Sequence, residues 1–184
     1  GHKIDETGIK WIVNPYDEFA IEEAVKFKEA NPSAQVTAIT LGPKARVSTA
    51  LFSAMAMGAD DSILIDTAES LDSLQTAKAI AGAIEKEGGA HLVFAGKLSI
   101  DGSVSALGPM VAELLKIPHI SVATKIEYNA DQVTVSRESE GGTIETYKVS
   151  TPALIAANKG LNKPRFASLP NIIKAKKKPI KEIN

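Results

Sequence analysis

Helical segments alternate with short apolar runs along most of this chain. Apolar residues recur at helical spacing over residues 19–29, 45–57, 74–87 and 104–115. The β-rich runs beside these segments, none of which contains a charged residue, are residues 36–41, 62–65 and 91–95. Strands that are apolar at nearly every position are typical of parallel sheets covered by helices on both faces. The pattern therefore predicts an α/β fold with a doubly wound, mostly parallel sheet.

Length and composition predict one globular domain. The 184 residues, of which 44% are hydrophobic, suffice for one core, and no linker divides residues 1–184. A formal net charge of −1 gives no general electrostatic reason to bind nucleic acid or a membrane. The absence of cysteine excludes disulfides and cysteine metal sites. No apolar run approaches the roughly 20 residues of a membrane span and no signal peptide is evident, so we expect an intracellular protein.

A β-hairpin is predicted around Gly141 and Gly142. These glycines stand between two runs rich in Val, Thr, Ile and Tyr. Paired glycines supply the positive φ that a two-residue hairpin turn requires. The hairpin by itself indicates no function.

The strongest candidate for a ligand site is the loop at residues 96–103, which leads from a strand end into the helix expected from Val104. In doubly wound sheets, ligands bind beyond the carboxyl ends of the strands, where a helix N-terminus favours phosphate. In the plain alternative, Ser103 or Ser105 caps the helix and Asp101 bonds only to the loop. The residues alone leave both interpretations open and favour the plain one.

Catalysis by side chains and metal binding find little support. There is no cysteine nucleophile and no Gly-x-Ser-x-Gly motif, and His2, His91 and His119 show no metal-ligand spacing. A hydrolase of the adenine-nucleotide type requires a Ser-Gly-Gly-x-Asp-Ser loop, and neither Gly88-Gly89 nor Gly141-Gly142 has that context. We therefore expect no metal and no catalytic residue.

Four stretches, in order, resemble the β subunits of electron-transfer flavoproteins. The most specific stretch places Arg137, an acid, Gly141-Gly142 and Glu145 before Pro152 and an apolar run. The others are residues 13–24, 54–60 and 162–178. The resemblance covers nearly the whole chain and implies a Rossmann-like, adenine-nucleotide-binding fold.

The resemblance also implies a function as an electron carrier subunit without catalytic residues of its own. An α subunit would hold the redox FAD, and this chain would complete that site, bind a structural AMP and dock acyl-CoA dehydrogenases. Electron-bifurcating relatives bind a second FAD in place of AMP. The implied location is the bacterial cytoplasm or the mitochondrial matrix. The implied nucleotide-binding residues are Asn14, Pro15, Tyr16, Leu41, Gly96, Lys97, Ile100, Asp101, Ser103 and Gly108.

The candidate nucleotide loop departs from the family pattern at two positions. Ser103 stands where the family usually has a third acid, and the usual glutamine before Gly108 is absent. Two lost hydrogen bonds at about 1 kcal/mol each would weaken nucleotide binding roughly 30-fold. The alternative function is therefore an engineered or divergent scaffold of this fold that binds no nucleotide and acts as a binding or assembly module.

By the same resemblance, residues 162–184 form a partner-recognition segment that ends in a basic tail. Leu169 is expected to anchor the dehydrogenase, with Lys174 and Lys177 as its charged rim. Two plainer alternatives stay open. Leu169 could pack in the local core, and the lysines could form a solvated tail or an anion-binding surface.

The family's apolar first strand and C-terminal arm have no counterpart in this sequence. The polar residues 3–8 come almost directly before Asn14. The neighbours of a lost central strand would be left with unpaired backbone groups in an apolar interior. We therefore expect another segment or chain to supply that strand, and a homo-oligomer when no α subunit is present.

Overall fold

Helices and strands alternate along residues 7–183, the part of the chain that the computed structural model describes. The helices are α1 (Pro15–Ala30), α2 (Lys44–Met57), α3 (Ser73–Lys86), α4 (Leu107–Leu115) and α5 (Leu169–Ala175), with a 3₁₀ turn at Glu140–Gly142. The strands are β1 (Thr37–Gly42), β2 (Asp61–Asp66), β3 (Leu92–Gly96), β4 (His119–Asn129), β5 (Gln132–Glu138), β6 (Ile144–Ser150), β7 (Ala153–Ala157) and β8 (Lys181–Ile183). The predicted α/β class is confirmed.

The strands form two sheets, whereas the sequence predicts one. The first sheet has the order β1-β2-β8 and is parallel throughout. The second has the order β3-β7-β4-β5-β6, with parallel pairs from β3 to β4 and antiparallel pairs from β4 to β6. The sheet is divided because β1 and β3 do not pair, and no other strand within residues 7–183 pairs with both.

Helices cover both faces of the sheets, as a doubly wound fold requires. On one face, α1 packs on β3 and β7 and against α2, and its Phe27 ring meets Tyr128 near Ile155. On the other face, α3 and α4 pack together over Leu154. Leu154 and Ile155 are successive residues of β7 and therefore point to opposite faces. The core of the second sheet thus lies between two helical layers.

Two helix starts differ from the predictions. α1 begins at Pro15, earlier than the apolar pattern indicates, because proline is favourable at the first helical position. α4 begins at Leu107, later than predicted. Ser103 has a φ of 52°, and its N–H group donates to the Ser99 carbonyl at 2.8 Å, so the chain turns here before the helix starts. The cap residue is Ala106, and the predicted cap at Ser103 or Ser105 is therefore wrong.

The predicted hairpin is confirmed, with a longer turn. β5 and β6 pair antiparallel, and the last matched residues are Glu138 and Ile144, so five residues connect the strands. Gly141 and Gly142 have φ of 70° and 77°, the positive values for which glycine was expected. A two-residue turn is wrong because the 3₁₀ turn at Glu140–Gly142 lies between the strands.

The last described residues return to the first sheet. β8 pairs parallel with β2, and α5 places Ala175 in a core cluster with residues of α2 such as Met55. Two lysines of the expected basic tail have protein partners: Lys178 donates to the Asp60 carbonyl at 2.8 Å, and Lys181 contacts Glu87 at 2.6 Å. Within residues 7–183, no helix is both long and apolar enough to cross a membrane.

Candidate functional site

The start of α1 is joined to the loop after β3 by the side chain of Asn14. Its Nδ2 donates to Asp17 Oδ2 at 2.8 Å and to the Leu98 carbonyl at 2.9 Å. Its Oδ1 accepts from the Ile100 N–H group at 3.2 Å. The bonds to Leu98 and Ile100 connect segments more than 80 residues apart in sequence, so Asn14 positions the loop at the carboxyl end of β3.

Gly96 allows α1 to approach this strand end closely. A Cβ atom at Gly96 would lie 2.8 Å from the Tyr16 backbone carbon and 2.8 Å from the Asp17 nitrogen, which is too close for any larger residue. The Gly96 N–H group donates to Asp17 Oδ1 at 2.6 Å. Pro15 opens the helix, and the Lys97 ammonium lies 4.9 Å from the centre of the Tyr16 ring. Residues 14–17 and 96–100 therefore form one unit.

The tip of the loop is open to solvent. Ile100 is 57% exposed, and Asp101 and Ser103 are exposed as well. A hydrogen bond from Ser99, a backbone N–H bond and the positive charge of Arg46 hold the pKa of the Asp101 carboxyl below its usual value. Asp101 is therefore a charged acceptor near neutral pH.

Two predicted residues lie away from this tip. Gly108 is buried in the first turn of α4, where a Cβ atom would lie 3.4 Å from the Leu154 side chain, which is close to an ordinary van der Waals contact. Leu41 is half-buried near the end of β1. α4 itself starts without a side-chain cap at Ala106, so the N–H groups of Leu107 and Gly108 have no capping side chain, whereas Pro109 has no N–H group.

Sequence reasoning missed two residues here, Asp17 and Arg46. Asp17 is the common partner of Asn14 and Gly96, and Arg46 lies 4.9 Å from the Trp11 ring centre and near Asp101. An acid in the first helical turn is usually explained by the helix dipole, so the sequence carried no signal for a buried role of Asp17. Arg46 lies far from the loop in sequence, and only the fold brings them together.

The acid Asp17 should make stability depend on pH. Burial raises the pKa of its carboxyl above the usual 3.8, although hydrogen bonds from Asn14 and Gly96 partly oppose this. Between 3.8 and the folded-state pKa, the native state binds more protons than the unfolded state, so the favourable contribution is lost as the pH rises. We expect Asp17→Asn to remove this decline.

The measurement is the free energy of unfolding in urea between pH 3.5 and 8. Asp61→Asn, which removes an exposed carboxylate at the start of β2, is the matched control. A stability difference between wild type and Asp17→Asn that does not change with pH would contradict the prediction.

Residues 162–165 are attached to α1 by buried acids. Arg165 donates from Nε to Glu22 Oε2 at 2.8 Å and from Nη2 to Glu22 Oε1 at 3.0 Å, and its Nη2 also reaches Glu29 at 3.0 Å. The Asn162 amide donates to Glu23 Oε2 at 2.9 Å. Glu22 and Glu23 are only 5% and 3% exposed. Arg165 and Asn162 therefore supply hydrogen-bond donors to two carboxylates that have lost most of their contact with water.

A further partner of Glu23 is the Tyr128 hydroxyl, at 2.9 Å. Burial, with the nearby Glu23 charge, raises the pKa of Tyr128 far above its ordinary value, so the hydroxyl stays a donor. Sequence reasoning missed Glu22, Glu23 and Tyr128, because acids on a helix and a tyrosine on a strand are ordinarily surface residues.

Beyond Arg165, residues 166–173 expose apolar side chains. Phe166 is fully exposed, Leu169 is 69% exposed and Ile173 is 51% exposed. Lys174 and Lys177 are exposed beside them on or after α5. The interpretation of Leu169 as a core residue is therefore excluded, and its exposure suits an anchor.

The hairpin that carries the most specific sequence stretch has its own charged contact. Arg137 Nε lies 3.0 Å from Glu145 Oε2, and the Tyr147 hydroxyl donates to the same carboxylate at 2.8 Å. Arg137 also reaches the Ser121 hydroxyl at 3.4 Å. Ile144 and Tyr147 remain 59% and 43% exposed, which leaves an apolar surface on the end strand β6.

Metal ligation has no site within residues 7–183, where no three His, Cys, Asp or Glu side chains converge. The polar loop instead lies at the carboxyl end of a parallel strand, the place where Rossmann-like α/β proteins bind ligands. Fold and loop together define this class of protein.

Comparison with known proteins then gives the family. The sequence matches the electron transfer flavoprotein domain over residues 1–184. The chain belongs to the electron transfer flavoprotein family, and the similar proteins are β subunits. The resemblance inferred from the sequence is thereby confirmed.

Three relatives show the extent of the similarity. The electron transfer flavoprotein subunit beta of Bacillus subtilis is 40% identical over 183 residues, which cover 98% of this chain and 70% of the relative. The human subunit is 41% identical over 180 residues, covering 96% and 69%. The Arabidopsis thaliana protein, named as mitochondrial, is 42% identical over 188 residues, covering 98% and 74%. The relatives are named as subunits of an electron carrier and not as enzymes.

Proposed function

We propose that this chain is the β subunit of a heterodimeric electron transfer flavoprotein that binds a structural AMP, completes the FAD site of an α subunit and docks dehydrogenases. The observation that carries the proposal is that the Asn14 side chain, next to α1, makes hydrogen bonds to Leu98 and Ile100 in the loop after β3. These bonds hold the loop in position, so little ordering cost remains to be met on binding.

The nucleotide site suits the parts of AMP. The N–H groups of Leu107 and Gly108 at the uncapped start of α4 would donate to a phosphate, and the charged Asp101 accepts from a ribose hydroxyl. Lys97 adds a positive charge at the strand end, over the Tyr16 ring. FAD would use the same groups in a bifurcating protein.

The experiment is denaturing release of bound small molecules from the purified protein, with identification and quantification by mass spectrometry. Stoichiometric AMP supports the proposal, and FAD indicates the bifurcating type. A well-folded protein that releases no nucleotide and binds no added AMP would overturn the nucleotide assignment and favour the scaffold function.

The α subunit is proposed to contact the outer face of the hairpin. Ile144 and Tyr147 expose apolar area there, beside the Arg137–Glu145 pair. The Arg137 and Glu145 side chains are each about one third exposed. The electrostatic attraction between them becomes stronger when a partner excludes water from the pair. Tyr147 is a residue type that commonly anchors interfaces.

Dehydrogenases such as acyl-CoA dehydrogenases are proposed to dock on Leu169. We expect Leu169→Ala to weaken the complex with an acyl-CoA dehydrogenase about tenfold, because one large apolar anchor is worth roughly 1.4 kcal/mol when truncated. Stability should change by less than about 0.5 kcal/mol, since the side chain is exposed.

The measurement is surface plasmon resonance with the α-containing complex against immobilised dehydrogenase. Leu74→Ala is the matched control, because Leu74 is similarly exposed on the distant helix α3. Equal affinities for the Leu169 and Leu74 variants would contradict the docking assignment.

A further inference from the structure

A small cavity lies between the carboxyl end of α2 and helix α5. Its volume is about 230 Å³, and the buried residues Met55 and Ala56 of α2 form part of its lining. Lys28 lines the cavity from α1, Lys174 from α5 and Lys178 from the segment after α5. Three lysines that are distant from one another along the chain, or on different turns of it, therefore meet at one cavity.

Two of these lysines hold the turn that follows α2. Lys28 Nζ donates to the Gly58 carbonyl at 2.6 Å and to Asp60 Oδ1 at 2.9 Å. Lys178 Nζ donates to the Asp60 carbonyl at 2.8 Å and to the Ala59 carbonyl at 3.3 Å. Because an ammonium group has three N–H donors, each of these two lysines keeps one donor for a further acceptor.

Capping of α2 does not account for these lysines. The Gly58 N–H group donates to the Ala54 and Met55 carbonyls, at 3.2 Å each, and the Ala59 N–H group donates to the Ala54 carbonyl at 3.1 Å. Backbone groups thus satisfy two of the four final carbonyls of the helix. The lysine bonds go instead to residues 58–60, which lie beyond the helix.

The charge around the cavity is positive. One acid, Asp60, lines it together with the three lysines. Burial alone would raise the pKa of the Asp60 carboxyl, but hydrogen bonds from Lys28 and the Val36 N–H group hold it below its usual value, so Asp60 is charged near neutral pH. Three positive charges and one negative charge give the lining a formal charge of +2. Asn171 adds a side-chain amide that can donate.

We propose that this cavity binds a free tetrahedral oxyanion with two negative charges, of which inorganic phosphate is the simplest example. Two negative charges match the +2 of the lining. Donors from Lys28, Lys174 and Lys178 enter from different segments, so a ligand that meets all of them needs at least three acceptor oxygens. A carboxylate has only two oxygens and one charge, and it therefore fits less well.

The size and place of the cavity separate it from the candidate nucleotide loop. Pockets for drug-sized ligands have volumes of roughly 300–1,000 Å³, so a cavity of about 230 Å³ suits a ligand smaller than a nucleotide. Lys28 follows Asn14 by 14 residues along α1, which places the two about 20 Å apart at 1.5 Å per residue. Binding of an oxyanion here does not depend on AMP binding at the loop after β3.

The test is a titration of the full chain with inorganic phosphate at pH 8, where phosphate carries two charges, followed by amide NMR. Sodium chloride keeps the ionic strength constant. We expect saturable shifts at Gly58, Ala59 and Asn171, with a Kd of about 1 mM or lower. Lys174→Ala should weaken binding at least about tenfold, because it removes one charge-assisted donor and one positive charge. Lys176→Ala is the matched control, since Lys176 is exposed nearby and does not line the cavity.

Four outcomes would overturn the proposal. The first is the absence of saturable shifts with phosphate in the presence of chloride. The second is equal weakening by Lys174→Ala and Lys176→Ala, which would indicate general attraction to the lysines of residues 174–178. The third is a set of shifts confined to residues 97–103, which would place the phosphate at the loop after β3. The fourth is acetate binding as tightly as phosphate, because two acceptor oxygens would then suffice.

Discussion

Replacing Arg165 by alanine is expected to lower the free energy of unfolding by about 2–3 kcal/mol. The substitution leaves Glu22, which is 5% exposed, without its bidentate partner inside the protein. The expected loss lies at the low end for a broken buried ion pair because the Arg165 side chain is itself 33% exposed. The measurement is urea unfolding followed by circular dichroism.

Three variants separate the lost ion pair from other causes. Arg165→Lys keeps the charge but loses the bidentate geometry. Its free energy of unfolding should therefore lie between those of the wild type and Arg165→Ala. Glu22→Gln combined with Arg165→Ala removes the unpaired charge and should recover part of the stability. Lys163→Ala is the control for an exposed cation in the same segment. If Arg165→Ala lowers the free energy of unfolding no more than Lys163→Ala does, the ion pair does not hold residues 162–165 on α1.

Asn14→Ala is expected to weaken AMP binding roughly 30-fold. Two of its side-chain hydrogen bonds reach the loop, at Leu98 and Ile100, and their loss at about 1 kcal/mol each leaves the loop to be ordered on binding. The measurement is isothermal titration calorimetry with AMP on nucleotide-free protein. Asn171→Ala, an exposed asparagine on α5, is the control.

A second measurement on Asn14→Ala does not depend on AMP. Amide exchange over residues 97–103 should become faster in the nucleotide-free variant, because the Ile100 N–H group and the Leu98 carbonyl lose their partners. Faster amide exchange with unchanged AMP affinity would support the role of Asn14 in positioning the loop. It would reject the assignment of this loop as the AMP site. Unchanged exchange would reject the role of Asn14 itself.

Periodicity predicted α1 to α4 and β1 to β3 because they depend on local residue pattern, whereas α5, β4 and β8 were not predicted. The runs at β1, β2 and β3 are apolar at nearly every position, and each was predicted to within a residue at either end. The start of α4 was predicted wrongly because the turn at Ser103 depends on one backbone conformation that the residue type does not indicate. The loop after β3 was found from the sequence because it joins a strand end to a helix.

The partners of that loop could not be found in the same way. Asp17 and Arg46 act on Gly96 and Asp101 across a large sequence separation. Glu22 and Glu23 are charged residues on a helix, and nothing in their local sequence distinguishes a buried acid from a solvated one. Their roles depend on Arg165 and Asn162, which reach them only in the folded chain.

The sequence by itself determined the α/β class, the glycine hairpin and the membership of the electron transfer flavoprotein family, because these depend on local pattern and on residue order. Tertiary structure alone decided that Leu169 is exposed, that Asn14 holds the loop and that the sheet is divided between β1 and β3. The physical reason is that burial, buried ion pairs and strand pairing are relations between distant segments, whose energies depend on which groups folding brings together.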